Sequence, residues 1–224
     1  VTDRLFVTYR ADPRALSALV PAPFTLDTHA GFGFLSVCAV EILGMGIAGT
    51  PRFLRFDNRE FLYRLAVRYR GESTFVTLRS DVSSRALALL GRYFSHYRPR
   101  RAGVRLFRAG DGVRIDCVTP DGAGDAVLDV DTGGEAPAEG SVFGSAEAAT
   151  RFLLGMRFSA DAVRGRVRIQ PIDHSPWFPR FVPARIARFE FVNELERALG
   201  TSFTHDSTLA TRDIDQIWRA ARWA

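Results

Sequence analysis

Two periods of apolar residues run along the chain. Leu65, Val67 and Tyr69 alternate with Arg64, Ala66 and Arg68, the period of two expected of an antiparallel strand with one buried face. Residues 74–79 lie beyond Gly71-Glu72, so 60–69 and 74–79 are predicted to form a hairpin. The pattern predicts a first strand over 5–9, and the apolar, β-branched and aromatic run 32–42 predicts a buried strand. A second hairpin is predicted over 104–107 and 113–118 around Gly110-Asp111-Gly112, with a further arm over 126–130. Residues 165–169 read as a strand broken at 172–177, and 209–218 as the last strand.

Helical spacing is rarer. Asp12-Pro13 supplies an N-cap and a proline at the first helical position, opening a short helix that Pro21-Ala22-Pro23 stops. Ala86, Leu87, Leu90 and Phe94 mark a helix capped by Ser83 or Ser84. Ser145 with Glu147 starts a third, through Arg151 and Leu154, and 189–199, ended by Gly200, reads as a fourth. Residues 27–31 read as a turn. Gly44, Gly46, Gly49 and Pro51 make a loop without the lysine or the glycine spacing of a phosphate-binding motif. Many short strands with few helices predict an α+β, mostly β fold. The expectation is a large curved antiparallel sheet closing into a barrel or cone, with a few short flanking helices, in one domain over 1–224. Such a barrel has room for one small ligand.

Composition narrows the classes. The chain has 224 residues, is 46% hydrophobic and 25% charged, and carries a net charge of +5. All thirty basic residues are arginine, so no side-chain amine exists to form an imine. Cys38 and Cys117 each lie in an apolar run and are expected to be buried free thiols, and no Cys/His spacing suggests a metal site. No apolar run reaches the length of a membrane span. The start at Val1, with neither Met nor a secretory signal, reads as trimmed or engineered, with a cytoplasmic location expected. The acids between Asp111 and Glu139 are spread out and read as a solvated hairpin and loop, not a cation site.

Tyr9-Arg10-Ala11-Asp12-Pro13-Arg14-Ala15-Leu16, leading into Val20-Pro21-Ala22-Pro23, resembles the opening of acetoacetate decarboxylases. The helix 86–94 followed by Tyr97, Pro99, Arg100, Arg101 and Gly103 is similar to the segment that carries that family's paired lysines, and Glu60 falls near its pocket glutamate. Ser145-x-Glu147, Gly165-Arg166-Val167, His174-Ser175-Pro176-Trp177 and Asp213-Ile214-Asp215-Gln216-Ile217-Trp218 resemble the YqjF-like branch of the same superfamily, a domain of unknown function. The resemblance implies the fold and a pocket. It places Arg100 and Arg101 where the two lysines stand. A guanidinium keeps its proton and is a poor nucleophile, so decarboxylation through a Schiff base is excluded.

A guanidinium does suit a carboxylate or phosphate, through two parallel hydrogen bonds. The candidate ligand-binding residues are therefore Arg100, Arg101, Glu60, Tyr97 and Trp177; adjacent strand residues face opposite ways, so one of the two arginines is expected to enter the cavity. The catalytic candidates are Glu60, as a general base if buried, His96 and His174. Each has a plainer reading: strand-end or turn surface residues for Glu60, Arg100 and Arg101, a helix C-terminal cation for His96 and a structural hydrogen bond for His174. No metal and no cofactor is expected.

Three function classes remain open. One is a binder or lysine-free enzyme for a small organic acid, working by general acid–base chemistry on a carbonyl or hydroxy acid. The second is a non-catalytic structural or interaction protein whose barrel is packed by its eighteen phenylalanines and its leucines. The third, least favoured because the arginines are scattered, is nucleic-acid binding through Arg64, Arg68, Arg164, Arg166 and Arg168. The resemblance adds a homo-oligomer as an expected assembly.

Overall fold

The computed structural model describes residues 3–46, 51, 53, 55–94, 97–136, 140–154, 158–176 and 178–224. Its first half contains β1 (Asp3–Ala11), α1 (Pro13–Ser17), β2 (Thr25–Leu26), β3 (Thr28–His29), β4 (Phe32–Met45), β5 (Phe56–Tyr69), β6 (Glu72–Val82), α2 (Arg85–Phe94), β7 (Arg100–Arg101) and β8 (Gly103–Ala109). Its second half contains β9 (Gly112–Val118), β10 (Ala126–Asp131), α3 (Ala146–Leu154), β11 (Phe158–Val163), β12 (Arg166–His174), β13 (Arg180–Phe181), β14 (Ala184–Phe189), α4 (Glu190–Leu199), β15 (Thr204–Arg212), β16 (Gln216–Trp218) and β17 (Arg222–Trp223).

The helix ends follow the expected chemistry. Asp12 accepts from the backbone N–H of Arg14 at 2.8 Å with Pro13 in the first turn. Ser84 Oγ caps α2 through Leu87 N at 3.2 Å, and Ser145 Oγ caps α3 through Ala148 N at 3.1 Å. Gly200 ends α4 at φ 61°, where its N–H reaches Glu196 O.

The main sheet has nine strands, in the order β13-β15-β1-β4-β5-β6-β7 with β2 on β5 and β3 on β4. All its pairings are antiparallel except the two-residue pairing of β6 with β7. A second sheet runs β14-β10-β9-β8, and a third holds β11, β12, β16 and β17. The expected large antiparallel sheet is therefore present, but among the described residues no sheet closes into a barrel. The main sheet ends in the two-residue strands β13 and β7, and the other strands that would have to complete a ring pair in sheets of their own.

One face of the main sheet carries Leu5, Val7, Leu35, Val37, Phe61, Tyr63 and Leu65 and packs on β9, β10 and α4. The opposite face carries Phe6, Phe34, Cys38, Leu62, Phe75 and Phe181 under α3, Tyr97 and Trp218. Burying each large apolar side chain contributes about 1.5–3 kcal/mol. This second layer corrects the sequence reading of β5: Arg64 and Ala66, expected on a half-exposed face, are buried. Several strand boundaries also differ: β4 runs on to Met45, through the Gly44 expected in a loop, and β6 begins at Glu72. β12 continues through His174 because 172–174 pair with β16. The single last strand becomes β15 and β16 in different sheets, separated by a turn in which Asp213 adopts φ 53°. No described helix is long and apolar enough to cross a membrane.

Candidate functional site

Directly paired residues on neighbouring antiparallel strands point to the same face, so register defines rows across the sheet. On the face under α3 one row is Thr211, Arg4, Val40, Glu60 and Val82. The next is Leu209, Phe6, Cys38, Leu62 and Ser80, and the third is Ser207, Thr8, Ser36, Arg64 and Thr77. Arg4 and Glu60 thus flank one side of an apolar floor made by Phe6, Cys38 and Leu62, and Arg64 flanks the other.

Three side chains that carry charge in water are buried here, with exposures of 3% for Arg4, 2% for Glu60 and 8% for Arg64. Glu60 Oε1 accepts from Ser80 Oγ at 2.7 Å and from the Tyr97 hydroxyl at 3.2 Å, and Oε2 from Asn58 Nδ2 at 3.4 Å. Arg4 Nη2 donates to Gln216 Oε1 from β16. Trp218 meets the Tyr97 ring edge-on at 6.4 Å between centroids. Arg64 Nε is buried without a hydrogen-bond partner, as are the hydroxyls of Thr8, Ser36 and Thr77 in the same row.

Burial raises the Glu60 pKa, opposed by the Ser80 hydrogen bond, Arg64, the Tyr97 hydroxyl and Arg4. It lowers Arg4 to about 10, with Cys38, Glu60 and Tyr97 opposing the shift. It also pushes Tyr97 well above the usual tyrosine range, helped by the Glu60 charge, and raises the Cys38 thiol against the pull of Arg64 and Arg4. The arrangement can hold an anion between two guanidinia and can move a proton at Glu60.

A cleft of about 550 Å³ opens at the edge of β6. Thr77, Ser80 and Tyr97 line it, so it touches the buried rows, and Arg98, Arg100, Asp161 and Arg164 line it too. Burial raises Asp161 to about 6, opposed only by the backbone N–H of Ala162 at 2.7 Å. A groove of about 670 Å³ along β8, β9, β10 and β14 holds none of the residues picked from the sequence. Among the described residues no group of three or more His, Cys, Asp or Glu could hold a metal ion. Both cysteines are buried and free.

Of the residues picked from the sequence, the structure brings Glu60 and Tyr97 into hydrogen-bond contact, with Arg100 on the wall of the adjoining cleft. Arg100 is exposed and pairs with Asp121 at 3.4 Å. Arg101 is exposed and donates to the carbonyls of Val82, Ser83 and Ala102 at the sheet edge. His174 is exposed at the end of β12, its Nδ1 2.8 Å from Ser175 O. His96 and Trp177 lie outside the described residues. Sequence reasoning missed Arg4, Arg64, Ser80 and Gln216. The only signal for the arginines was a charge inside a strand-like run, the same signal a solvated strand face sends.

Solved structures share this fold over nearly the whole chain. Acetoacetate decarboxylase from Legionella pneumophila subsp. pneumophila str. Philadelphia 1 matches at a TM-score of 0.65 and 15% identity, covering 100% of this chain and 85% of that one. An acetoacetate decarboxylase-like enzyme from Sphingomonas wittichii RW1 matches at 0.64 and 12%, covering 100% and 91%. The enduracididine biosynthesis enzyme MppR complexed with pyruvate matches at 0.64 and 13%, covering 99% and 87%. At these identities the likeness is one of fold. The chain belongs to the DUF2071 family, described as "Uncharacterized conserved protein (COG2071)", whose family model matches residues 1–210. No curated protein matches it in sequence.

Proposed function

We propose that this protein binds a small carboxylate metabolite between Arg4 and Arg64, with Glu60 and Tyr97 placed to exchange a proton with it. The observation that carries the reading is the Arg64 guanidinium, buried with Nε unpartnered, on a face where Glu60, Ser80 and Tyr97 already satisfy one another. A buried charged donor left unpaired is costly unless something accepts from it, and a carboxylate oxygen does so well. The cleft at the edge of β6, which Thr77, Ser80 and Tyr97 line beside the buried rows, takes the part expected of a closed barrel. Arg100, with Arg98 and Arg164 in the cleft, supplies positive charge along the way in. The complex of MppR with pyruvate shows an acid of this class on the same fold. With no lysine in the chain, the chemistry on the acid is proton transfer at Glu60 and not imine formation.

A thermal-shift and calorimetric panel of pyruvate, acetoacetate, lactate and the neutral lactamide tests this. At least one acid should raise the melting temperature with the logarithm of its concentration, and lactamide should not. Arg64→Met should weaken that acid about tenfold or more, the loss of a charge-assisted hydrogen bond. No binding by any acid, or equal binding of lactate and lactamide, overturns the proposal.

A second reading, a filled interior with no ligand, draws on the rings of Phe34, Phe143 and Phe152, which pack at 5.0–5.6 Å on the same face. The same panel separates the two.

A further inference from the structure

The third row of the covered face has a chemistry that a carboxylate alone does not use. Thr8, Ser36, Arg64 and Thr77 stand on four successive strands in direct register. Each has a buried polar atom without a hydrogen-bond partner: Oγ1 of Thr8, Oγ of Ser36, Nε of Arg64 and Oγ1 of Thr77. Thr8 is 0% exposed and Ser36 2%. Buried hydroxyls in native proteins are nearly always paired, and a strand residue with no polar task there would be valine or alanine. Adjacent strands lie about 4.8 Å apart, so the row from Thr8 to Thr77 spans about 14 Å. Its Thr77 end opens on the cleft beside Ser80 and Tyr97.

We propose that the site takes a hydroxylated carboxylic acid longer than three carbons, its carboxylate on Arg64 and its hydroxyls along Ser36 and Thr8. The proposal rests on the carboxylate reading above and sharpens it to a substrate class. Hydroxyl groups in the protein donate and accept, so they match ligand hydroxyls in either sense, whereas a plain alkyl chain would leave both unpaired. A site built to pair hydroxyls rejects the analogue lacking them more strongly than an apolar pocket rejects an extra group. A three-carbon acid reaches only part of the row. The apolar floor of Phe6, Cys38 and Leu62 lies one row over, where the carbon skeleton can rest.

The test is calorimetric titration of the full chain with gluconate, hexanoate, lactate and pyruvate, and of the Thr8→Val/Ser36→Ala double variant with the first two. Gluconate should bind at least tenfold more tightly than hexanoate, which has the same number of carbons and the same charge. In the double variant the two should come within about threefold of each other. Should that variant not fold, Ser36→Ala alone should cut the gluconate-to-hexanoate ratio at least threefold. Binding of lactate or pyruvate with no preference for gluconate overturns the hydroxyl row and leaves the carboxylate reading standing. Binding by none of the four overturns this assignment, and no binding of acetoacetate either overturns the carboxylate reading with it. A preference for gluconate that survives Thr8→Val/Ser36→Ala, or that Ser36→Ala alone leaves unchanged, shows the hydroxyls are read elsewhere and overturns this assignment.

Discussion

Asp161 is the residue whose proton reports on the cleft. Burial raises it from its ordinary value of 3.8 to about 6, and among the described residues no salt bridge stabilises its charge. Arg98, Arg100 and Arg164 line the same cleft. A carboxyl whose folded pKa is raised adds stability that is fully present below its unfolded pKa and lost as pH rises through the folded one. Wild-type stability should therefore fall between about pH 4 and 7 by this group's share. Asp161→Asn, which never ionises, should be more stable than wild type at pH 8 by on the order of 1 kcal/mol, after allowance for solvent screening, and no more stable at pH 4. Urea unfolding at the two pH values checks this, and an advantage at pH 4 that vanishes at pH 8 would reverse the assignment. Glu60, the one carboxylate singled out from the sequence, is buried at the centre of the charged group. Its candidacy came through resemblance, but its partners were not legible. Ser80, Tyr97 and Asn58 lie 20, 37 and 2 residues from it in the chain, and only folding sets those distances.

At the scale of elements, α2 and the segment after it deliver Tyr97 to the site. A Cβ on Gly91 would stand 2.8 Å from Pro99 Cγ and 3.2 Å from Leu87 Cδ1, so the glycine lets the 97–99 segment lie against the helix. Alanine there would gain up to about 1 kcal/mol of helix propensity, but overpacking costs about 1–3 kcal/mol. Gly91→Ala should therefore lower stability by about 1 kcal/mol and weaken acid binding by shifting Tyr97, as urea unfolding and calorimetry would show. A stabilised variant would mean that the proline segment gives way freely. Most elements were readable because they obey local rules: Asp12-Pro13, Ser84 and Ser145 start helices, Gly200 ends one, and the alternation 65–69 marks a strand. β11 and β14 were not singled out. β14 carries Arg185 and Arg188 among Ala184, Ile186, Ala187 and Phe189, and it is a strand because β10 pairs with it. β12 outran its expected end for the same reason, since β16 supplies the pairing that the local sequence does not encode.

At the scale of the whole molecule, none of the 224 residues is a lysine, so none of their side chains offers an amine for an imine. Borohydride reduction in the presence of pyruvate or acetoacetate should leave every side chain unmodified by peptide mapping; a reduced adduct on any internal peptide would refute this. The nucleic-acid reading meets a different difficulty. Arg64 is buried, Arg68 pairs with Asp27 at 3.1 Å, and Arg166 and Arg168 lie over Trp223 in another sheet, so no single face gathers these arginines.

The sequence alone determined the β-rich class, the main hairpins, the helix ends and the lack of a side-chain amine among its 224 residues. Each of these depends on neighbours within a few residues or on composition. Tertiary structure decided that the sheets stay separate, that β5 is covered on both faces and that Arg4, Glu60 and Arg64 share one covered face. An arginine alternating with apolar residues looks the same whether water or a second layer covers it, and only the layer of α3, Tyr97 and Trp218 turns Arg64 from a surface charge into a buried donor.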